Sequence, residues 1–180
     1  MNALGQVSAM QLDIGEWQIR SWRPGDESAL VKYANNRKIW LNLRDAFPHP
    51  YTEDNARAWI RFATAQDPEM NFAIASYEEA IGGIGLHLQQ DVHRRSAGIG
   101  YWLGEPYWGK GIATWAVQAL TEYAFANFDL VRIFGEVFEW NPASARVLEK
   151  AGYACEGRFR KSVTKDGKTI DQLVYAIIRG

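Results

Sequence analysis

Apolar positions change their period several times along the chain. Between Glu16 and Trp22 apolar and polar residues alternate around Trp17, Ile19 and Arg20 and stop at Arg23-Pro24-Gly25, which predicts a strand closed by a turn. Asp26 then stands where a residue can cap a helix carrying Leu30, Tyr33 and Ala34 on one side. After the stretch Phe47-Pro48-His49-Pro50-Tyr51, Thr52 predicts the cap of a second helix, whose Ala56, Trp59, Ile60 and Ala63 follow i, i+3, i+4, i+7 spacing. The region before that helix reads as a loop. From Asn71 to Leu103 three apolar runs, 72–75, 81–86 and 97–103, are separated by polar turns and predict three consecutive antiparallel strands. Their interior glycines imply bulges or close backbone approach.

The second half opens on a helix. Ile112, Trp115, Ala116, Ala119, Leu120, Tyr123 and Ala124 recur at helical spacing, with small residues that let the helix lie close on a sheet. Residues 131–138 predict a strand, and Asn141-Pro142 supplies a cap with proline at the first helical position. The helix that follows carries Ala145, Val147 and Leu148 and ends at Gly152, suited to a left-handed terminus. Residues 153–164, the turn Lys165-Asp166-Gly167-Lys168 and residues 169–178 predict a closing hairpin. The pattern is mixed α/β with seven strands, in a single domain spanning residues 1–180, with 1–13 as a flexible leading segment.

Composition narrows the chemistry. A length of 180 residues with 47% hydrophobic content fits one core. A formal net charge of −1 with interspersed signs argues against a nucleic-acid partner. Cys155 is the single cysteine, so neither an internal disulfide nor a cysteine metal cluster is available, and a reducing compartment, the cytoplasm, is expected. The start lacks a basic, apolar leader, and no apolar run approaches the ~18 residues of a membrane span, so no membrane partner is expected. The scattered His49, His87 and His93 form no metal constellation in the sequence.

One segment carries chemistry by its backbone. In Trp108-Gly109-Lys110-Gly111-Ile112-Ala113-Thr114, two glycines bracket Lys110 immediately before the helix, so several N–H groups can point outward unobstructed. Free amides at a helix start, aided by the helix dipole, favour an anion such as phosphate. A tight turn that merely needs glycine has the same look. A P-loop would need Ser or Thr after Lys110, where Gly111 stands, and a dinucleotide fingerprint would need a small residue in place of Thr114.

The stretch 97–152 resembles the GNAT superfamily of acetyl-coenzyme-A-dependent N-acetyltransferases, and within it the ribosomal-protein N-terminal (Rim-type) branch. The family's loop pattern, Gln/Arg-x-x-Gly-x-Gly/Ala, is met by Trp108 to Ala113 except that Trp108 replaces the polar first residue. Gly100-Tyr101-Trp102-Leu103 resembles the strand before the loop, and the segment 141–153 (NPASARVLEKAGY) resembles the branch's hallmark helix. The resemblance implies a mostly antiparallel sheet of about seven strands flanked by helices, splayed where acetyl-CoA enters.

It also implies roles. Amides from Gly109 through Lys110, Gly111, Ile112 and Ala113 to Thr114 hold the pyrophosphate, beside Trp108. The backbone of Tyr101, Trp102 and Leu103 pairs with the pantetheine arm, and an N–H near Trp102 or Leu103 polarises the thioester carbonyl. Asn141 bonds the arm besides capping its helix. Glu136, where relatives carry a base, has two readings: general base, or a strand glutamate paired with Arg132 or a lysine. Ser144 stands where the branch places a serine beside the cofactor sulfur, and is equally a routine residue of a helix start. Leu148 occupies the position of a tyrosine that many relatives use as acid.

The function implied is direct transfer of an acetyl group from acetyl-CoA, the co-substrate, to a primary amine in a ternary complex, without a metal. An α-amine of pKa ~8 needs less help from a base than a lysine near ~10.4, which favours a peptide N-terminus. A small-molecule or antibiotic acetyltransferase, and an acyl-CoA-binding regulator without catalysis, are the alternatives. A second copy of the chain is a further expected partner.

Overall fold

The alternating segment at Glu16–Trp22 forms strand β2 (Trp17–Ser21), and its partner is a strand that the pattern did not predict, β1 (Gln11–Ile14), joined to it through Gly15. The computed structural model describes residues 10–180. Residues 11–13, expected within a flexible leader, are therefore ordered by cross-strand pairing, Gln11 opposite Arg20 and Asp13 opposite Gln18. The rest of that leader, residues 1–9, lies outside the described residues.

The three glycine-bearing runs form β3 (Asn71–Ala75), β4 (Ala80–Leu88) and β5 (Ser96–Leu103). They are followed by β6 (Arg132–Phe138) and by the hairpin β7 (Ala154–Lys165) and β8 (Lys168–Ile178). All eight join one sheet in the order β1-β2-β3-β4-β5-β6-β8-β7. Every pair is antiparallel except β5 and β6. The expectation of close backbone approach holds at Gly83, where a Cβ would stand 2.7 Å from Trp102 Nε1.

Helices cover both faces. On one lie α1 (Glu27–Ala34) and α3 (Glu53–Thr64), whose Leu30, Ala34, Ala56, Ile60 and Ala63 pack with Trp22, Tyr51 and Ala73. On the other lie α4 (Ile112–Asn127) and α5 (Pro142–Lys150), which bury Ala116, Val117, Leu120 and Leu148 against Phe72, Ile84, Leu86, Ile99 and Ile133. The buried stripe of α4 runs through Val117 and Thr121, and Trp115, which shares the helical spacing, stays 46% exposed. The helix ends follow their sequence signals closely. Thr52 Oγ1 accepts from Asn55 N in a capping box, and α5 closes with Tyr153 N donating to Leu148 O and Gly152 N to Glu149 O around the left-handed Gly152. At the hairpin turn Asp166 and Gly167 both have positive φ, as a two-residue turn between right-twisted strands requires.

Asp26 occupies the N-cap position of α1, but its carboxylate makes no cap bond. It instead accepts both terminal nitrogens of Arg20 at 2.7 Å, with Arg23 N at 3.1 Å, in a pocket where Arg20 and Asp26 are both buried. A bidentate pair outcompetes a single backbone bond when the guanidinium has no water to turn to.

The segment expected as a loop contains a one-turn helix, α2 (Arg37–Trp40), capped by Asn36. It is held from far along the chain. Lys165, 1% exposed, donates to Asp45 at 2.8 Å and stands 3.7 Å over the Trp40 ring, while Arg37 pairs with Asp166 at 2.6 Å. On its other side Asn36 and Lys38 both reach Glu105.

Removing Asp26 strands a buried guanidinium, so Asp26→Ala should lower unfolding stability by about 3–5 kcal/mol. Asp129→Ala breaks only the exposed pair with Arg95 and should cost about 0–1 kcal/mol. Urea denaturation followed by circular dichroism compares them, and equal losses would refute the ranking.

Candidate active site

The parallel pairing of β5 and β6 lasts three residues, Ser96 opposite Arg132, Ala97 opposite Ile133 and Gly98 opposite Phe134, after which the strands part. Direction along β5 can be read from its flanking bonds. Gln89 N donates to Ser96 O and Gly104 N to Ile81 O, so even-numbered residues turn their backbone toward β4, while Arg95 O faces the β6 side through Val131 N. Tyr101 and Leu103 therefore present backbone groups to the gap. Trp102 presents its backbone to β4, which corrects the expectation that all three edge residues face a ligand; of the two candidate oxyanion donors, Leu103 N–H has the right direction.

Beyond β5, one turn of 3₁₀ helix (Glu105–Tyr107) leads into the glycine turn. Gly109 and Gly111 have φ of +76° and +82°, which side-chain-bearing residues adopt only under strain. Gly111 is the N-cap of α4 and has no side chain to satisfy the helix start, and the first helical bond runs from Trp115 N to Gly111 O at 3.1 Å. The amides of Ile112, Ala113 and Thr114 precede that bond and are open to an anion. Trp108, the departure from the loop pattern, donates its indole N–H to Leu103 O at 2.7 Å and so ties the turn to the end of β5. Lys110 stacks over the Tyr107 ring at 5.3 Å.

These elements bound a cavity of about 380 Å³. Its walls hold nearly every donor-side residue expected from the sequence: Tyr101, Trp102, Leu103, Trp108, Gly109, Gly111, Ile112, Ala113, Thr114, Asn141 and Ser144. Sequence reasoning missed the opposite wall, Lys38, Ile39, Asn42 and Leu43 from α2 and its exit, and also Tyr107, Arg146, Val147 and Lys150. The helical spacing of Ala143, Val147 and Lys150 was the one local signal for the α5 wall. Asn141 Oδ1 accepts Ser144 N at 3.2 Å, confirming the cap, and Ser144 Oγ lies 2.8 Å from Tyr101 Oη. Burial pushes the Tyr101 phenol well above its ordinary range, against a smaller opposing effect of Ser144.

Glu136 is not in that cavity. Its neighbours Ile133 and Val137 are buried under the helices, whereas Glu136 is exposed on the opposite face of the sheet. The pairing with Arg132 does not occur, because Arg132 contacts Glu156, and Glu136 has no ion pair among the described residues. On the same face, Gly98 lies against Phe134, and a Cβ at Gly100 would find only His87 Nε2, at 4.0 Å. The splay is thus open at Gly100, flanked by His87 on β4 and Glu136 on β6. Desolvation, and then the charge of Arg44, hold the His87 imidazole below its usual range.

Comparison with known proteins agrees with this geometry. The family model described as "Acetyltransferase (GNAT) domain" matches residues 17–154. N-acetyltransferase p20 of Bacillus licheniformis is 32% identical over 169 residues, 89% of this chain and 92% of that protein. Probable N-acetyltransferase YjcK of Bacillus subtilis is 41% identical over 115 residues, 63% of this chain, and the match spans 64% of its length, under two thirds. Ribosomal-protein-serine acetyltransferase of Escherichia coli is 31% identical over 107 residues, 59% of each chain. Among solved structures, a GNAT-family acetyltransferase from Bacillus anthracis superposes with a TM-score of 0.81 at 25% identity, covering 94% of this chain and 98% of that one. RimL, a ribosomal L7/L12 α-N-protein acetyltransferase in complex with coenzyme A, shares the fold with a TM-score of 0.82 at 21% identity, over 94% and 98% of the two chains. A match over most of the length, with a splayed strand pair and a free amide turn where the family needs them, shows that the chain belongs to the GNAT family of acetyl-CoA-dependent acyltransferases.

Proposed function

We propose that this protein transfers the acetyl group of acetyl-CoA to a primary amine, with a peptide N-terminal α-amine as the preferred acceptor. The observation that carries this is the opening between β5 and β6, with an amide turn and cavity on one face and an exposed carboxylate on the other. The residues fit the co-substrate. Open amides at Ile112, Ala113 and Thr114 suit a pyrophosphate, and the edge of Tyr101, with the Leu103 N–H beyond it, suits a pantetheine arm bonded like an added strand, while the Leu103 carbonyl is taken by Trp108. Acetyl-CoA, when bound, supplies an activated thioester.

The chain then acts on the two protons and one charge of the reaction. Leu103 N–H points into the gap, where it can stabilise the oxyanion that forms when nitrogen attacks the carbonyl. Ser144, on the donor face, can donate to the departing sulfur. Glu136, on the acceptor face, can take the amine's proton directly or through water. Among the described residues no ion pair engages that carboxylate, which supports the base reading over the structural one. A weakly assisted base suits an α-amine of pKa ~8 better than a lysine. The ribosomal-protein-serine acetyltransferase among the relatives supports the same acceptor class. The exposed free thiol of Cys155 suits a reducing compartment, and we place the reaction in the cytoplasm.

Two measurements test this reading. Gly111→Val puts a β-branched residue at φ +82°, with its Cβ 3.4 Å from the Trp115 ring, and should weaken CoA binding at least ~100-fold by isothermal titration, as amide anion contacts are lost. Unimpaired binding would sink the cofactor site. Glu136→Gln should lower kcat about 10²-fold at neutral pH while leaving the KM for acetyl-CoA unchanged. Assayed on peptides with free N-termini, an unaltered rate would exclude Glu136 as base.

A further inference from the structure

The α5 helix offers no phenol to the reaction, because Leu148 sits one turn after Ser144 and is committed elsewhere. It is 1% exposed and fills the notch at Gly135, where a Cβ would stand 2.9 Å from its Cδ1. One phenol in the cavity wall, Tyr107, turns its hydroxyl toward Tyr33 at 3.2 Å, within the group that Glu79 anchors. The other is Tyr101. It reaches from β5 across the floor of the splay, with its Oη 2.8 Å from Ser144 Oγ and 3.2 Å from Ser144 O. We propose that Tyr101 is a positioning residue that acts through Ser144, aiming the serine proton at the sulfur of CoA and so stabilising the thiolate leaving group. This role rests on the acetyltransferase reading of the site.

Two protons decide how the pair is wired. Tyr101 and Ser144 have one O–H each, and the Ser144 carbonyl can only accept. If the phenol donates to Ser144 Oγ, the serine proton is left for a third atom in the cavity. If the serine donates to the phenol instead, the phenol proton goes to Ser144 O and nothing points into the cavity. The choice is made when negative charge appears. As the C–N bond forms and the C–S bond breaks, the electron pair of that bond moves onto sulfur. Ser144 O–H then donates to the thiolate, and Tyr101 O–H donates to Ser144 Oγ, each bond polarising the other. No proton leaves either hydroxyl; the amine's proton goes to Glu136 or water, and the thiolate is protonated from solvent. Asn141, by holding Ser144 N at 3.2 Å, fixes the serine between the two partners. Burial keeps the phenol protonated throughout, so it donates at any physiological pH.

The role can be measured without an acceptor, from the thiol titration of CoA bound to the enzyme, followed by thiolate ultraviolet absorbance against pH. In the wild-type protein the bound thiol should ionise at lower pH than free CoA. Tyr101→Phe and Ser144→Ala should each raise its proton affinity about tenfold, the double variant no further, with the Kd for CoA changed less than about threefold. Tyr101→Met, apolar and of similar reach, replaces Tyr101→Phe if the latter does not fold. A thiol titration identical in wild type and Tyr101 variants, or additive losses in the double variant, would overturn the role of Tyr101 while leaving the acetyltransferase reading intact. Failure of the wild-type protein to bind CoA would overturn both.

Discussion

Backbone amides and carbonyls in a sheet have to find partners, and β5 stops finding them on its β6 side after Gly98. Much of the molecule follows from that interruption. The two strands can separate only if something fills the space on the helical face, and α5 does so by pressing Leu148 into the side-chain-free notch of Gly135 and Ala145 beside it. The notch brings the first turn of α5, with Asn141 and Ser144, against Tyr101. On the other face a Cβ at Gly100 would meet only His87 Nε2, at 4.0 Å. The same interruption thus leaves a cavity on one side and, among the described residues, an opening on the other.

The cavity needs a second wall, and that wall is the least self-sufficient part of the fold. α2 is a single turn, too short to be stable by itself. It is clamped from two directions, by Glu105 at the start of the glycine turn and by the tip of the β7–β8 hairpin through Lys165 and Asp166. Lys165 is a costly residue to bury, and both the Trp40 face and the Asp45 carboxylate offset that cost. The hairpin at the end of the chain therefore has a task at the site although none of its residues lines the cavity. Loosening the hairpin tip would loosen the wall.

What the sequence made legible was whatever is determined locally. Seven of eight strands, the caps at Thr52 and Asn141, the left-handed end at Gly152 and the glycine turn all depend on residues within a few positions of each other. β1 was invisible because four residues give too short an alternation to distinguish from a leader, and its order comes from β2. α2 was read as loop because Arg37, and Asp45 just beyond the helix, find their partners 129 and 120 residues away. Asp26 was assigned a cap because that is what aspartate does before a helix, and its preference for Arg20 depends on how β2 and α1 meet. Trp115 shares the helical spacing of the core, yet it falls at the edge of the stripe where the sheet no longer covers α4.

The candidate site divides along the same line. Its cofactor half is built from backbone, and backbone geometry is written into glycine positions and helix starts, so the turn at Trp108 to Thr114 is legible as a turn from its own residues and as an anion site from its neighbours at 100–103 and 141–153. Its side-chain pairings are not. Tyr101 was expected to contribute an edge, and it also contributes a hydroxyl, because the splay leaves it facing the first turn of α5 rather than a neighbouring strand. Glu136 was named from the family resemblance, and only the sheet's two faces reveal that it lies on the face opposite the cavity that Ser144 lines. A proton removed on one face and a charge stabilised on the other require no shared side chain.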